Sequence, residues 1–345
     1  MEITIAPEKP PRPPKGNPKL GSSLNQLLEV YRQEGLGGAQ TFATSRDMFL
    51  RDDRVQVVIV TTEEALSEVR EEVEAVGGEY QLHYQNLLQA LVPIGELEAL
   101  AGRPDVQIIR EPQRAIPLAP MQVGSQTTEG VAASGASSWH AAGYNGTGVR
   151  VAVIDVGFTG YSGLLGTDLP SSVTTYDWTG TGLGGTYHGT ACAEVVHDMA
   201  PGATMYLHKI GTDVELGNAV NKAIADGVKV ISMSLGWVLD GPGDGTGNLA
   251  NIVNNARSNG IFYATAAGNE AEVSWHGTYT DNDGDDAHEW NASGQEVNFF
   301  GPGDGSAYVV PAGYPIVCGL HWDDWTAVNQ DYDLELYRWT GSSWS

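Results

Sequence analysis

The sequence predicts an α/β protein built around a mostly parallel sheet with helices on both faces. Three observations carry that reading. Val151-Ala152-Val153-Ile154 is an apolar, largely β-branched run that ends on Asp155 and then Gly157, as a strand buried on both faces does. Between residues 148 and 267 such runs alternate with helical patterns, the signature of strands joined by helical crossovers. The chain has 345 residues, 41% of them hydrophobic, and 44 glycines, which is enough chain for a large core with many loops. Open α/β sheets gather their sites at the carboxyl ends of strands, so Asp155 is a candidate for chemistry. Taken alone, it serves equally well as a cap on the next turn.

Residues 1–53 read as a proline-rich leader followed by a short amphipathic helix, with Leu24, Leu27, Leu28 and Tyr31 at helical spacing. Residues 54–111 read as a folded βαββαβ unit. Its strands are Val55–Thr61, Tyr80–Tyr84, Leu87–Val92 and Val106–Arg110, and its helices start near Thr62 and Ile94. That order is the ferredoxin-like α+β pattern. Residues 112–128, with Pro112, Pro117 and Pro120, read as an exposed, cleavable linker. The main domain spans 129–272: a helix over Ala132–Ala142, the Asp155 strand, a strand at Val173–Asp177, and a glycine-rich loop leading to His188. A helix follows from His188. Then come strands at Thr204–Lys209, Val228–Met233 and Ile261–Ala267, with helices over Leu216–Asp226 and Asn248–Asn259 between them. Residues 273–345 read as an acidic loop and a partial β-sandwich insertion, with strands at Val297–Phe300, Ala307–Val310, Ile316–Trp322 and Leu334–Trp339.

The formal net charge is -25, which makes nucleic acid and anionic membranes unsuitable partners. The acidity is concentrated late: residues 1–115 carry 12 basic and 18 acidic side chains, the remainder 6 and 25. Cys192 and Cys318 fall in different predicted domains, so a disulfide between them is not expected. No apolar run approaches the roughly 20 residues of a membrane span. Met1 to Gly21 lacks the apolar core of a secretion signal.

Three segments bring chemistry into view: Val153-Ile154-Asp155-Val156-Gly157, His188-Gly189-Thr190, and Ala266-Ala267-Gly268-Asn269. An aspartate, a histidine and an amide, each at an element end, are parts of an acyl-transfer site. Together with Ala200-Pro201-Gly202-Ala203 and Ser232-Met233-Ser234-Leu235-Gly236, in this order, they resemble the subtilisin-like serine peptidases, over about residues 130–275. The resemblance implies a serine endopeptidase working through an acyl-enzyme. His188 would be its general base, Asp155 the residue that holds the histidine's tautomer, and Asn269 the oxyanion donor. It further implies that Ser234, Leu235 and Gly236 form a substrate-binding edge strand, and that Ala266, Ala267 and Gly268 wall the pocket beside it. The βαββαβ unit resembles the family's propeptide, which acts as intramolecular inhibitor. Protein or peptide substrates, a secreted location and no cofactor for the chemistry complete the implication.

One family element is absent. The 345 residues contain no Gly-Thr-Ser-x-Ala-x-Pro segment; Gly305-Ser306-Ala307 sits in a strand pattern and does not replace it. The expectation is therefore a precursor truncated before its nucleophile and inactive as it stands. Two alternatives remain open: a non-catalytic pseudoprotease that binds through cleft and sandwich, and a sedolisin-like peptidase, against which the intact His188 motif speaks. Asp281, Asp283 and Asp285 form a candidate structural calcium loop, although the spacing fails the EF-hand pattern and a solvated acidic turn fits equally. A metal held by His188 and Cys192, one helical turn apart, is a weaker alternative to the histidine motif.

Overall fold

A computed structural model describes residues 16–117, 129–237, 241–268, 275–296, 318–323, 332 and 334. The chain divides into a unit of Lys15–Asn269 and a second of Met1–Pro14 with Glu270–Ser345. In the first, the elements are α1 (Ser22–Ser45), β1 (Leu50–Arg51), β2 (Arg54–Thr61), α2 (Leu66–Ala75), β3 (Glu79–Tyr84), β4 (Leu87–Pro93), α3 (Leu97–Ala101), β5 (Val106–Arg110) and β6 (Ile116–Pro117). There follow α4 (Glu129–Ala133), α5 (Ala136–Ala141), β7 (Arg150–Asp155), β8 (Thr174–Asp177), α6 (His188–Met199), β9 (Thr204–Lys209) and α7 (Asp213–Ala225). The last are β10 (Val230–Met233), β11 (Leu235–Gly236), α8 (Asn248–Ser258) and β12 (Phe262–Thr265).

The N-terminal sheet pairs β3 with β4, β4 with β2 and β2 with β5, every pair antiparallel. The β2-α2-β3-β4-α3-β5 order therefore closes into the ferredoxin-like arrangement predicted from sequence. The first helix is longer than the leucine spacing predicts. It runs to Ser45 with a break at Gly35, whose φ of 69° only glycine adopts readily. Its Leu24, Leu27, Leu28, Ala39 and Ala43 share one core with Val55, Val57, Ile59, Val69, Leu88 and Ile109. Lys19–Gly21 also pairs with Ile109, through Ile109 N–H to Lys19 O at 2.7 Å and Gly21 N–H to Ile109 O at 2.8 Å. The packed body thus takes in α1 as well as residues 54–111.

The second sheet is wholly parallel, in the order β12-β10-β7-β9-β8. Its central strand is β7, where Val151, Ala152, Val153, Ile154 and Asp155 are all buried, as the unbroken apolar run requires. Helices α7 and α8 pack on one face through Val214, Ala219, Val220, Ala223, Ile252 and Ala256. On the other, Val153, Met205 and Leu207 meet Phe158, Leu169 and Ala193. The predicted Ala132–Ala142 helix is two short helices, because Gly135 takes a left-handed φ of 77° between them. β12, expected to be buried, is an edge strand with Phe262 69% exposed.

In the second unit, the expected strands Val297–Phe300 and Ala307–Val310 lie outside the described residues, as does most of Leu334–Trp339. Residues 318–322, expected in a strand, are irregular and have no ladder partner among the described residues. Trp275, His288 and Trp290 form an aromatic cluster, with Tyr279 stacked on His288. Among the described residues both cysteines are free. None of the described helices is long and apolar enough to cross a membrane.

Candidate active site

The C-terminal edge of β7 and the start of α6 meet at one hydrogen bond. His188 Nδ1 lies 2.7 Å from Asp155 Oδ2, with Asp155 fully buried and His188 4% exposed. Asp155 Oδ1 accepts from Val156 N–H at 2.8 Å. Burial pushes the Asp155 carboxyl above its ordinary range; His188 and the N–H groups of Val156 and Gly157 pull it back down. A carboxylate so held favours the tautomer with the proton on Nδ1, which leaves the lone pair on the other ring nitrogen.

The glycine after the histidine explains how the two elements come so close. A Cβ on Gly189 would sit 2.5 Å from Gly157 O, 2.6 Å from Asp155 Cβ and 2.7 Å from the Phe158 ring. Gly189 N–H donates to Gly157 O at 3.0 Å, and Thr190 Oγ1 donates to Thr159 O at 2.9 Å. Thr186 Oγ1 accepts from the His188 N–H at 2.9 Å, which ties the loop to the first residue of the helix. The glycine-rich loop before it is held by Lys209, which donates to Thr181 Oγ1 at 2.8 Å and Gly182 O at 2.6 Å. Lys209 is the register partner of Asp155 on the neighbouring strand. The sequence reading passed over it.

Cys192 lies one turn on, its Sγ 3.9 Å from His188 Nδ1. Burial and the nearby Asp155 push the thiol up to about 11, so it is a neutral neighbour of the dyad. Asp155, His188 and Cys192 do bring ligand atoms within 4.8 Å of one another. The Asp155 bond, however, already occupies the histidine nitrogen that faces the thiol.

Ser234, Leu235 and Gly236 follow directly from β10, and the last two form β11, which is paired. Leu235 opposes Pro117 and Gly236 opposes Ile116 in an antiparallel ladder. The same segment crosses to the opposite wall, where Ala115 N–H donates to Gly211 O at 3.1 Å and Asp213 N–H to Gln113 O at 3.0 Å. Residues 113–117 therefore lie extended between β11 and the start of α7. This corrects the reading of 112–128 as an exposed linker throughout: its first residues find backbone partners that outweigh their proline content. Ala266, Ala267 and Gly268 are exposed here and wall no described pocket. They continue an edge strand, and among the described residues their backbone hydrogen bond is from Ala266 N–H to Met233 O at 3.1 Å. Asn269 lies outside the described residues.

The N-terminal body grips the first turn of α7. Thr212 and Glu215 form a capping box there, which the Thr-x-x-Glu spacing made legible and the sequence reading missed by starting the helix at Leu216. The Gln89 side chain joins it, accepting from Thr212 Oγ1 at 2.8 Å and donating to Glu215 Oε1 at 3.3 Å. Arg110 pairs with the fully buried Asp213 at 2.7 Å. The Tyr84 ring covers Gly217, where any Cβ would collide with it, and Asn218 donates to His83 O at 2.9 Å.

Residues 146–315 match the family described as the Subtilase family. This part of the chain is a subtilase. Among curated proteins, subtilisin E of Bacillus subtilis is 27% identical over 260 residues, covering 68% of this chain and 66% of that one. Subtilisin NAT of Bacillus subtilis subsp. natto is 30% identical over 204 residues, covering 55% and 51%. The chain spans at most about two thirds of these relatives. Of solved structures, the epidermin leader peptide processing serine protease of Staphylococcus aureus is 12% identical, with a TM-score of 0.45, over 62% of this chain and 60% of that one. The parallel sheet with its helices is the subtilisin-like α/β fold of the family.

In the second unit, Asp281, Asp283 and Asp285 bring one carboxylate oxygen each within 4.8 Å of the others. Asp281 already accepts the N–H groups of Gly284 at 2.7 Å and Asp286 at 3.0 Å. Glu289 is buried beside them and accepts from Asn282 N–H at 3.0 Å.

Proposed function

We propose that this subtilase is the propeptide and catalytic-domain portion of a serine endopeptidase precursor, with Asp155 and His188 as two members of its triad. The observation that carries the reading is the buried Asp155–His188 bond at 2.7 Å beside a groove already filled by an extended peptide segment. In this mechanism His188 takes the proton of a serine hydroxyl as that oxygen attacks the scissile carbonyl, and then passes it to the leaving amine. Asp155 stabilises the imidazolium in between, and Asn269 donates to the oxyanion. The N-terminal body acts as intramolecular inhibitor. Its grip on α7 and the strand of residues 113–117 in the groove support that role, since a peptide substrate would need the same backbone partners. The likeness to subtilisins favours a secreted setting.

The 345 residues contain no Gly-Thr-Ser-x-Ala-x-Pro segment, so these residues alone turn over no peptide. That same observation is what favours the second reading, a non-catalytic protein that binds peptide in the groove. Casein hydrolysis separates them. The gene product extended to a Gly-Thr-Ser-x-Ala-x-Pro motif should cleave casein and lose the activity in His188→Ala. A genuine stop after Ser345, together with an inert 345-residue chain, leaves the binding protein. Hydrolysis by the 345 residues themselves, abolished in His188→Ala, would overturn the missing-nucleophile reading. The chemistry needs no cofactor. Asp281, Asp283 and Asp285 would hold calcium in a structural role, and a melting temperature indifferent to calcium would remove it.

A further inference from the structure

We propose that Trp237 and the first turn of α7 form a two-sided clamp on a peptide main-chain carbonyl, so that the groove requires substrates extending back to the position of Gln113. The proposal rests on reading this groove as the substrate site. Gln113 O accepts two hydrogen bonds from opposite walls: Asp213 N–H at 3.0 Å and Trp237 Nε1–H at 3.3 Å. Both donors need an acceptor from outside their own elements. Asp213 is the first residue of α7, where helix geometry leaves the N–H without an intrahelical partner. The indole is donor-only, and its ring packs against the core beneath β11, which fixes where Nε1 points.

The clamp lies beyond the strand pairing. The ladder with β11 covers Ile116 and Pro117, the bond to Gly211 O holds Ala115, and Gln113 is two residues further back. A carbonyl is common to every residue type, so the clamp selects for length and extended backbone rather than for a side chain. Two lone pairs on one oxygen match the two donors. A short peptide covering only the positions of Ala115 to Pro117 leaves both donors unmet, one of them an indole whose ring is partly buried.

Trp237→Phe keeps the ring packing and removes the donor. In the full 345-residue chain, trypsin cleavage after Arg114 reports release of the segment. It should quicken about five- to tenfold in the variant, the share of one hydrogen bond, with the melting temperature unchanged. Two trypsin-resistant probes complete the test, acetyl-Pro-Gln-Gln-Ala-Ile-Pro-amide and acetyl-Ala-Ile-Pro-amide, each scored by the concentration that opens Arg114 to trypsin. The longer should be about tenfold more effective on the wild-type chain, and that advantage should vanish in Trp237→Phe. An advantage that persists in the variant, or unchanged cleavage at Arg114, overturns the clamp and leaves the groove reading standing. If neither peptide competes, the groove is not a substrate site and the clamp falls with it.

Discussion

The two halves of this site are built on different principles. The Asp155–His188 pair is buried, local and steric: two element ends forced together because Gly189 and Gly157 leave no side chain between them. The peptide-holding edge is long-range and made of main-chain hydrogen bonds, joining residues 113–117 to segments about 100 residues later in the chain. Steric packing tolerates almost no substitution, whereas backbone pairing tolerates nearly any side chain. The first half is therefore legible in short residue motifs and the second only in geometry.

The largest expected effect strikes the first half alone. Gly189→Ala drives a methyl into Gly157 O and Asp155 and should cost about 3 kcal/mol, the upper range for an overpacked core. Urea unfolding gives the loss, and disappearance of the downfield Nδ1 proton resonance of His188 would show the dyad parted. An unaltered resonance and stability would break the steric account. His208, on β9, sharpens the contrast from within the same sheet. It is fully buried, accepts from Trp178 Nε1 at 3.3 Å, and is depressed to about 4. The unfolded chain binds that proton below 6.5 while the folded one holds out to about 4, so stability falls as pH is lowered through this interval. The loss should approach roughly 3 kcal/mol and flatten in His208→Asn, as acid-titrated melting would reveal.

Arg110→Met tests the second half. It leaves the buried Asp213 carboxylate with the neutral Asn248 amide at 3.1 Å in place of a cation and should cost about 2 kcal/mol, discounted because Arg110 is partly exposed. Trypsin should then reach Arg114 sooner, with the His188 resonance unmoved. Coupled movement of both signals would mean that the two halves are one structure. Smallest is Thr212→Ala, about 1 to 2 kcal/mol from the lost cap and the stranded Gln89 amide, read from the melting temperature.

Legibility in the sequence followed the same division. Val151–Asp155 announced its strand because burial on both faces needs an unbroken apolar run, and His188-Gly189-Thr190 announced its helix start. The βαββαβ order was equally plain, since its apolar strand runs and its helical patterns follow one another over short spans. Residues 113–117 were not legible: Gln-Arg-Ala-Ile-Pro has no strand pattern, and its partners are set by the fold. Nor were Lys209 and Asp213, which no motif singles out and which the structure buries under a loop and an arginine. The exposed β12 ran against the apolar pattern of its own residues, because a strand's burial depends on its neighbours.

Lys209 has a practical consequence. The residue is 7% exposed and its amine is tied to Thr181 Oγ1 and Gly182 O, so an acylating reagent finds it only when the glycine-rich loop lifts. The rate at which this one lysine is modified is then a clock for the opening of the segment that leads into His188, readable by mass spectrometry with no substrate present.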